Sequence, residues 1–136
     1  MIRFVLAAAM CCASAAAHSE PSNNFLAGIR SINVVMHRDP PAEVCTASQY
    51  GLGDGYHGRR AADGSRFNTF ATSPYTVAHI RRRLGSFVIV TNLANGRSIR
   101  AKVTDRGPFY HGRCVDLGRA GADAIGMGGT ARVRVE

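Results

Sequence analysis

Residues 87 to 108 read Phe87-Val-Ile-Val-Thr-Asn-Leu-Ala-Asn-Gly-Arg-Ser-Ile-Arg-Ala-Lys-Val-Thr-Asp-Arg-Gly-Pro108. The Asn95-Gly96 pair between two β-rich runs is the strongest short-range hairpin signal, because the tight turn it favours needs positive φ at both central residues. The expected strands are Phe87 to Leu93 and Arg97 to Thr104. In the second, Ile99, Ala101 and Val103 alternate with Arg100 and Lys102, so one face is buried and one is wet. Just beyond it, Gly107 permits backbone angles closed to other residues and Pro108 fixes its own φ, so the chain turns sharply and can hold the Asp105 carboxylate at a strand end. A fixed acid in such a place can serve as a general acid or base.

Outward from this hairpin, Thr46 to Tyr50 reads as a short strand and Gly51 to Gly55 as a glycine loop. Ala62-Asp63-Gly64-Ser65 carries a second hairpin-like turn. Arg113 to Leu117 is strand-like, Gly118 to Ile125 is expected to form a short helix closed by Gly126, and Thr130 to Glu136 alternates Ala131, Val133 and Val135 with Arg132 and Arg134. Many short strands, one or two short helices and abundant glycine give a mainly β fold, a small β-barrel.

The first residues hold Arg3, an apolar run from Phe4 to Met10 and small residues through Ala15-Ala16-Ala17. This pattern predicts a signal peptide over 1–17, too short to span a bilayer core of about 30 Å. An exported protein of the periplasm or cell envelope is expected, with no integral membrane segment in the mature chain; lipid anchoring through Cys11 or Cys12 is the competing reading. Residues 18–44, with Pro21, Asn23-Asn24 and Pro40-Pro41, read as a linker or N-terminal extension, and 45–136 as one compact domain. Export leaves Cys45 and Cys114, which an oxidising compartment would pair; two free thiols are the alternative.

The formal charge of the chain is +8, and the leader removes one cation and no acid. The basic surface meets no recognisable nucleic-acid motif, and an exported basic protein meets anionic wall polymers, lipid head groups or sugar carboxylates instead. No cofactor motif is present. His57, His79 and His111 are far apart in sequence and no Cys/His spacing matches a zinc site, so no metal is expected.

The runs Ala47-Ser-Gln-Tyr-Gly51, His57-Gly-Arg-Arg-Ala-Ala-Asp-Gly64, Thr76-Val-Ala-His79, Val90-Thr-Asn-Leu-Ala-Asn-Gly-Arg97, Asp105-Arg-Gly-Pro-Phe109, Gly112-Arg113, Val115-Asp-Leu117 and Gly129-Thr-Ala-Arg-Val-Arg-Val135, taken in order, resemble the rare lipoprotein A family. The resemblance implies a six-stranded double-psi β-barrel. It also implies an endolytic peptidoglycan lytic transglycosylase, acting on peptide-stripped glycan strands, leaving 1,6-anhydromuramic ends and serving daughter-cell separation beside divisome or envelope proteins. Asp105 falls on the family's catalytic acid and His79 on a histidine of its site. The family's usual Glu is here Ser65, and the Asp three residues later is Asn68. Related barrels of expansin or barwin type bind or loosen polysaccharide without cleaving it, or act on another protein.

A lytic transglycosylase uses one group first as acid and then as base, whereas hydrolases ordinarily need two carboxyl groups, so keeping Asp105 while losing the acids near Ser65 fits the one-acid scheme. The expected catalytic residues are Asp105 and His79. The bland alternative for Asp105 is a turn residue accepting backbone N–H groups, and for His79 a hydrogen-bonded residue at a barrel rim. Asp116 reads as a helix-start cap more than as a catalyst. Expected substrate-binding residues are Tyr50, His57, Ser65, Arg106, Phe109 and Arg59, with aromatics as sugar platforms and Arg106 pointing toward substrate or another acid. Arg59 and its basic neighbours Arg60, Arg81, Arg82 and Arg83 would meet the lactyl carboxylates of muramic acid.

Overall fold

A computed structural model of the protein describes residues 40–136. The expected leader and nearly all of the expected extension lie outside the described residues. Six strands and one helix run in chain order: β1 (Glu43–Tyr50), β2 (Tyr75–His79), β3 (Phe87–Asn92), β4 (Ser98–Asp105), β5 (Arg113–Gly118), α1 (Arg119–Ala124) and β6 (Thr130–Val135). They close a barrel in the spatial order β1, β5, β2, β4, β3, β6, with β6 pairing back onto β1. The pairs β1–β5 and β2–β4 are parallel and the remaining four are antiparallel. Closure leaves no open sheet edge. Among the described residues no helix is long and apolar enough to cross a membrane.

The alternation read from the sequence is the core. Val88 and Val90 of β3, Ile99, Ala101 and Val103 of β4, and Val133 and Val135 of β6 point inward against Val77, Val115, Leu117 and Ile125. Each fully buried Val, Leu or Ile contributes about 1.5–3 kcal/mol. The Asn-Gly hairpin is present with strands one residue shorter on each side of the turn than expected; only Gly96, at φ +72°, takes a positive φ, so the turn is not the one expected with positive φ at both Asn95 and Gly96, and the Asn92 amide donates to the Ile125 carbonyl at 3.0 Å. β1 begins at Glu43, so the barrel takes up Glu43 and Val44 ahead of Cys45. The Asp63-Gly64 turn forms, closed by Ala61 N–H to Ser65 O at 2.8 Å, but only a single bridge, Arg60 to Arg66, flanks it.

Helix α1 has no side-chain cap from its own N-terminus. Thr69 supplies one from a distant loop: its hydroxyl oxygen accepts from Arg119 N–H at 2.7 Å and its carbonyl from Ala120 N–H at 2.9 Å. Asp116 is therefore not the cap.

Two β-bulges decide where the polar side chains go. Val77 pairs with Val103 and Ala78 with Asp105, leaving Thr104 as an extra residue; Thr46 pairs with Arg113 and Ala47 with Val115, leaving Cys114 as another. Each bulge buries two successive residues and shifts the rest of its strand by one step of the pleat. Without the extra Thr104, Asp105 would continue the Ile99, Ala101, Val103 series into the core, where a lone carboxylate costs several kcal/mol.

Cys114 also forms a disulfide with Cys45 across β1 and β5, with a Cα–Cα separation of 5.9 Å. Beside it His79 is fully buried. Its Nδ1 accepts the backbone N–H of Arg81 and of Arg82, each at 3.1 Å, which fixes the proton on Nε2, 3.0 Å from Glu43 Oε1. Glu43 also holds the Arg81 guanidinium, and buried Arg82 donates to the carbonyls of Pro41 at 3.2 Å and Val135 at 3.4 Å. The ends of β1, β2 and β6 are thereby locked together.

Removing both cysteines, Cys45→Ala with Cys114→Ala, is expected to lower the unfolding free energy by about 4 kcal/mol on the chain-entropy model, read from urea denaturation of the oxidised protein and the variant. Burial lowers the His79 pKa, with Glu43 pulling the other way. The unfolded chain then binds a proton near pH 6.5 that the native protein refuses, so stability present above that pH is lost as pH falls below it. Thermal midpoints should drop between pH 7 and pH 5, and His79→Gln should flatten that slope.

Candidate functional site

Ala78 of β2 pairs with Asp105 of β4 on one side and with Asp116 of β5 on the other, and Asp116 in turn pairs with Ser48 of β1. Directly opposed residues share a face, so Ser48, Asp116, Ala78 and Asp105 form one row across four strands on the outside of the barrel. Two strand spacings put the two aspartate Cα atoms roughly 10 Å apart, with only a methyl group between them. Over this row lies an open cleft of about 610 Å³, which both carboxylates line.

Asp105 is held by backbone. Its Oδ1 accepts from Arg106 N–H at 2.8 Å and Ala62 N–H at 3.1 Å, while Asp63 N–H donates to Thr104 O at 2.9 Å, so the Asp63-Gly64 turn docks on the bulge. Asp116 is held by a side chain, the Ser48 hydroxyl, which also accepts from Arg113 Nη1 at 3.3 Å. Burial pushes the Asp116 pKa above the usual carboxylate value; the Ser48 hydrogen bond and the Arg113 charge resist, and Asp54 adds to the rise. Gly107, at φ +125°, carries the turn past Asp116: a Cβ there would lie 4.0 Å from Asp116 Oδ2 and 3.7 Å from the Phe109 ring. Only glycine adopts that conformation without strain.

Of the residues expected at a site, the structure brings Asp105, Tyr50, Arg59, Arg106 and Phe109 together at the cleft. Phe109 and Tyr110 are 77% and 71% exposed and Tyr56 is 50% exposed, so their faces are free to meet sugar rings. The Tyr50 ring is not, being stacked on Phe67 at 4.1 Å. Arg59 lies over the Tyr56 ring at 5.7 Å and Arg113 over Tyr110 at 5.1 Å, which sets cations beside the free aromatic faces. The Arg106 guanidinium is tied to backbone: Nη1 donates to the carbonyls of His79 at 2.9 Å and Arg82 at 2.8 Å, which fastens the turn to the end of β2.

Three expected residues are elsewhere. The His79 side chain points away from the row, because it comes one step of the pleat after Ala78 and pairs with core Val115. His57 sits on an exposed loop, its Nδ1 accepting Thr69 N–H at 3.3 Å and its ring edge-on to Phe70. Ser65 donates to Asp63 Oδ1 at 2.6 Å and lies outside the cleft lining. The cleft adds Ser48, Asp54 and Arg113, to which the sequence reading gave no site role, and Asp116, which it read as a cap. The available signal was Val115-Asp116-Leu117, an acid between two core positions of a strand.

Among the described residues, Glu43, His79 and Cys114 offer ligand atoms within 4.8 Å of one another. The Cys114 sulfur is bonded to Cys45 and the His79 proton is fixed toward Glu43, so this donor set is already spent.

Residues 44–136 match a family model described as lytic transglycolase. The chain is 48% identical over 92 residues to the probable endolytic peptidoglycan transglycosylase RlpA of Nostoc sp., covering 66% of this chain and 24% of that protein. It is 45% identical over 95 residues to the endolytic peptidoglycan transglycosylase RlpA of Pseudomonas aeruginosa, covering 68% and 26%, and 37% identical over 103 residues to that of Neisseria meningitidis serogroup A, covering 71% and 42%. The chain thus spans about a quarter to two fifths of the length of these relatives. In fold it is similar to the expansin of Clavibacter michiganensis, with a TM-score of 0.53 at 20% identity over 70% of this chain and 49% of that one. It is similar also to the Streptomyces papain inhibitor, with a TM-score of 0.53 at 18% identity over 72% and 94%. The family match takes in all six strands of the barrel and the two carboxylates on its outer row, so the chain belongs to the lytic transglycolase family, among the rare lipoprotein A proteins.

Proposed function

We propose that this protein is an exported lytic transglycosylase that cleaves peptide-stripped peptidoglycan strands within the chain; its relatives are named endolytic peptidoglycan transglycosylases. The observation that carries the reading is the flanking of Ala78 by two carboxylates, one of them with a raised pKa, in a single open cleft. Asp116, protonated more readily than an ordinary carboxyl group, donates its proton to the glycosidic oxygen as the bond to the muramic anomeric carbon breaks. The C6 hydroxyl of the same muramic residue closes on that carbon, and its proton passes to Asp105. Both groups reset by exchange with solvent, and no water is consumed.

The pair replaces the single acid expected from the sequence with two groups in separate roles. His79 serves the site through its backbone carbonyl, which anchors Arg106 and so the turn just past Asp105. Arg59 and Arg113 beside the exposed aromatics would take the lactyl carboxylates bared when peptides are removed. The setting is the cell envelope, with divisome or other envelope proteins as neighbours.

Digestion of peptide-free glycan strands and mass spectrometry of the digest should yield products with 1,6-anhydromuramic ends. Asp105→Asn and Asp116→Asn should each reduce the yield by about 100-fold or more while circular dichroism stays unchanged. Because the pKa of Asp116 is raised, its acid form persists to higher pH than in an ordinary aspartate, and turnover should increase as pH is lowered from 7. A wild-type chain that retains the strands but makes no anhydro ends would be a polysaccharide-binding module instead.

A further inference from the structure

Tyr50 ends β1 directly beside the two carboxylates, and every part of it except one atom is held. Its carbonyl accepts from the Thr69 hydroxyl at 2.9 Å, its ring lies flat on Phe67 at 4.1 Å with planes 12° apart, and Tyr56 packs against it at 6.1 Å and 63°. The exception is the phenol oxygen, which is buried and has no hydrogen-bond partner. Burial and the charges of Asp105, Asp116, Asp54 and Asp63 push its pKa up from the ordinary phenol value, so it stays a neutral donor.

The neighbouring acids do not use that donor. Asp54 accepts from Gly51 N–H at 2.7 Å and Tyr56 N–H at 3.0 Å, and Asp63 accepts from Ser65. Asp105 and Asp116 take their hydrogen bonds through Oδ1, from backbone and from Ser48. An unmatched buried donor destabilises the free protein, and four carboxylates around it repel any anionic oxygen. A neutral oxygen of a polyhydroxylated ligand suits the position: it accepts from the phenol while its neighbouring hydroxyls donate to the acids.

We infer that the Tyr50 hydroxyl is a substrate-binding donor that holds a neutral sugar oxygen of the bound glycan between Asp105 and Asp116. This rests on the glycan reading of the cleft. It also changes the role of Tyr50 from the stacking platform expected from sequence to a hydrogen-bonding group, which the covered ring face requires.

The test is Tyr50→Phe, which keeps the ring and removes only the hydroxyl. With peptide-free glycan strands titrated calorimetrically, the variant should bind about tenfold more weakly than wild type, the loss expected for one hydrogen bond. Its thermal midpoint should be unchanged or higher, because the orphan donor is gone. Equal binding by variant and wild type overturns the inference and leaves the glycan reading standing. A variant with a lowered midpoint and a matching loss of binding marks the hydroxyl as structural and also overturns it. Wild type that fails to bind the strands removes the glycan reading, and the inference with it. Binding without cleavage in wild type still decides the point, since the readout is affinity rather than turnover.

Discussion

A carboxylate cannot sit unpaired inside a dry barrel, and strict alternation along β4 would put Asp105 there. The extra residue at Thr104 resolves the conflict by shifting the pleat one step before the acid arrives. An equivalent extra residue at Cys114 sets the parity of β5, so that Val115 and Leu117 enter the core while Asp116 faces out. The whole site depends on those two insertions. They lie on the two strands that flank β2, and so both acids emerge on either side of Ala78. A larger side chain at that position would fill the gap between them, which makes the small residue as much a part of the site as the charged ones.

The bulge at Cys114 is also where the barrel is stapled. Cys114 is at once the extra residue of β5 and half of the disulfide, and the Glu43, His79 and Arg82 cluster lies against the same end. Strand register is cheap to slip where pairing is irregular, because a one-residue shift exchanges the two faces. Covalent closure next to the irregular step removes that freedom. The stability of the barrel end and the aim of Asp116 are for this reason one problem, solved by the same few residues. Buried His79 takes part in that solution: its ring holds a turn and an acid, and its carbonyl accepts from Arg106.

The hairpin and the Asp105 turn were legible because their signals are local: an Asn-Gly pair, a period of two, and Gly-Pro after an acid. The same local rules misplaced what depends on pairing. β2 is five residues long with no clear alternation, so nothing announces it, yet it is the strand that brings Asp105 and Asp116 together. Asp116 looked like a cap because it precedes a helix, but the cap came from Thr69 in a remote loop, about which spacing is silent. His79 carried the resemblance to a site histidine, and a motif records which residues recur, not which way each one points. Tyr50 lines the cleft as expected, but no local signal announces that Phe67 stacks on its ring.

On the glycan reading proposed above, electrostatics select what the cleft accepts. The chain carries 17 basic residues against 9 acidic ones, so its general field attracts anions. Four of the acids, Asp54, Asp63, Asp105 and Asp116, nevertheless gather within the field of one tyrosine hydroxyl. A polyanionic strand drawn in by the basic surface is thus kept from placing its own charges at the row of acids. On that reading it settles with neutral sugar oxygens over Asp105 and Asp116 and its carboxylates toward Arg59 and Arg113.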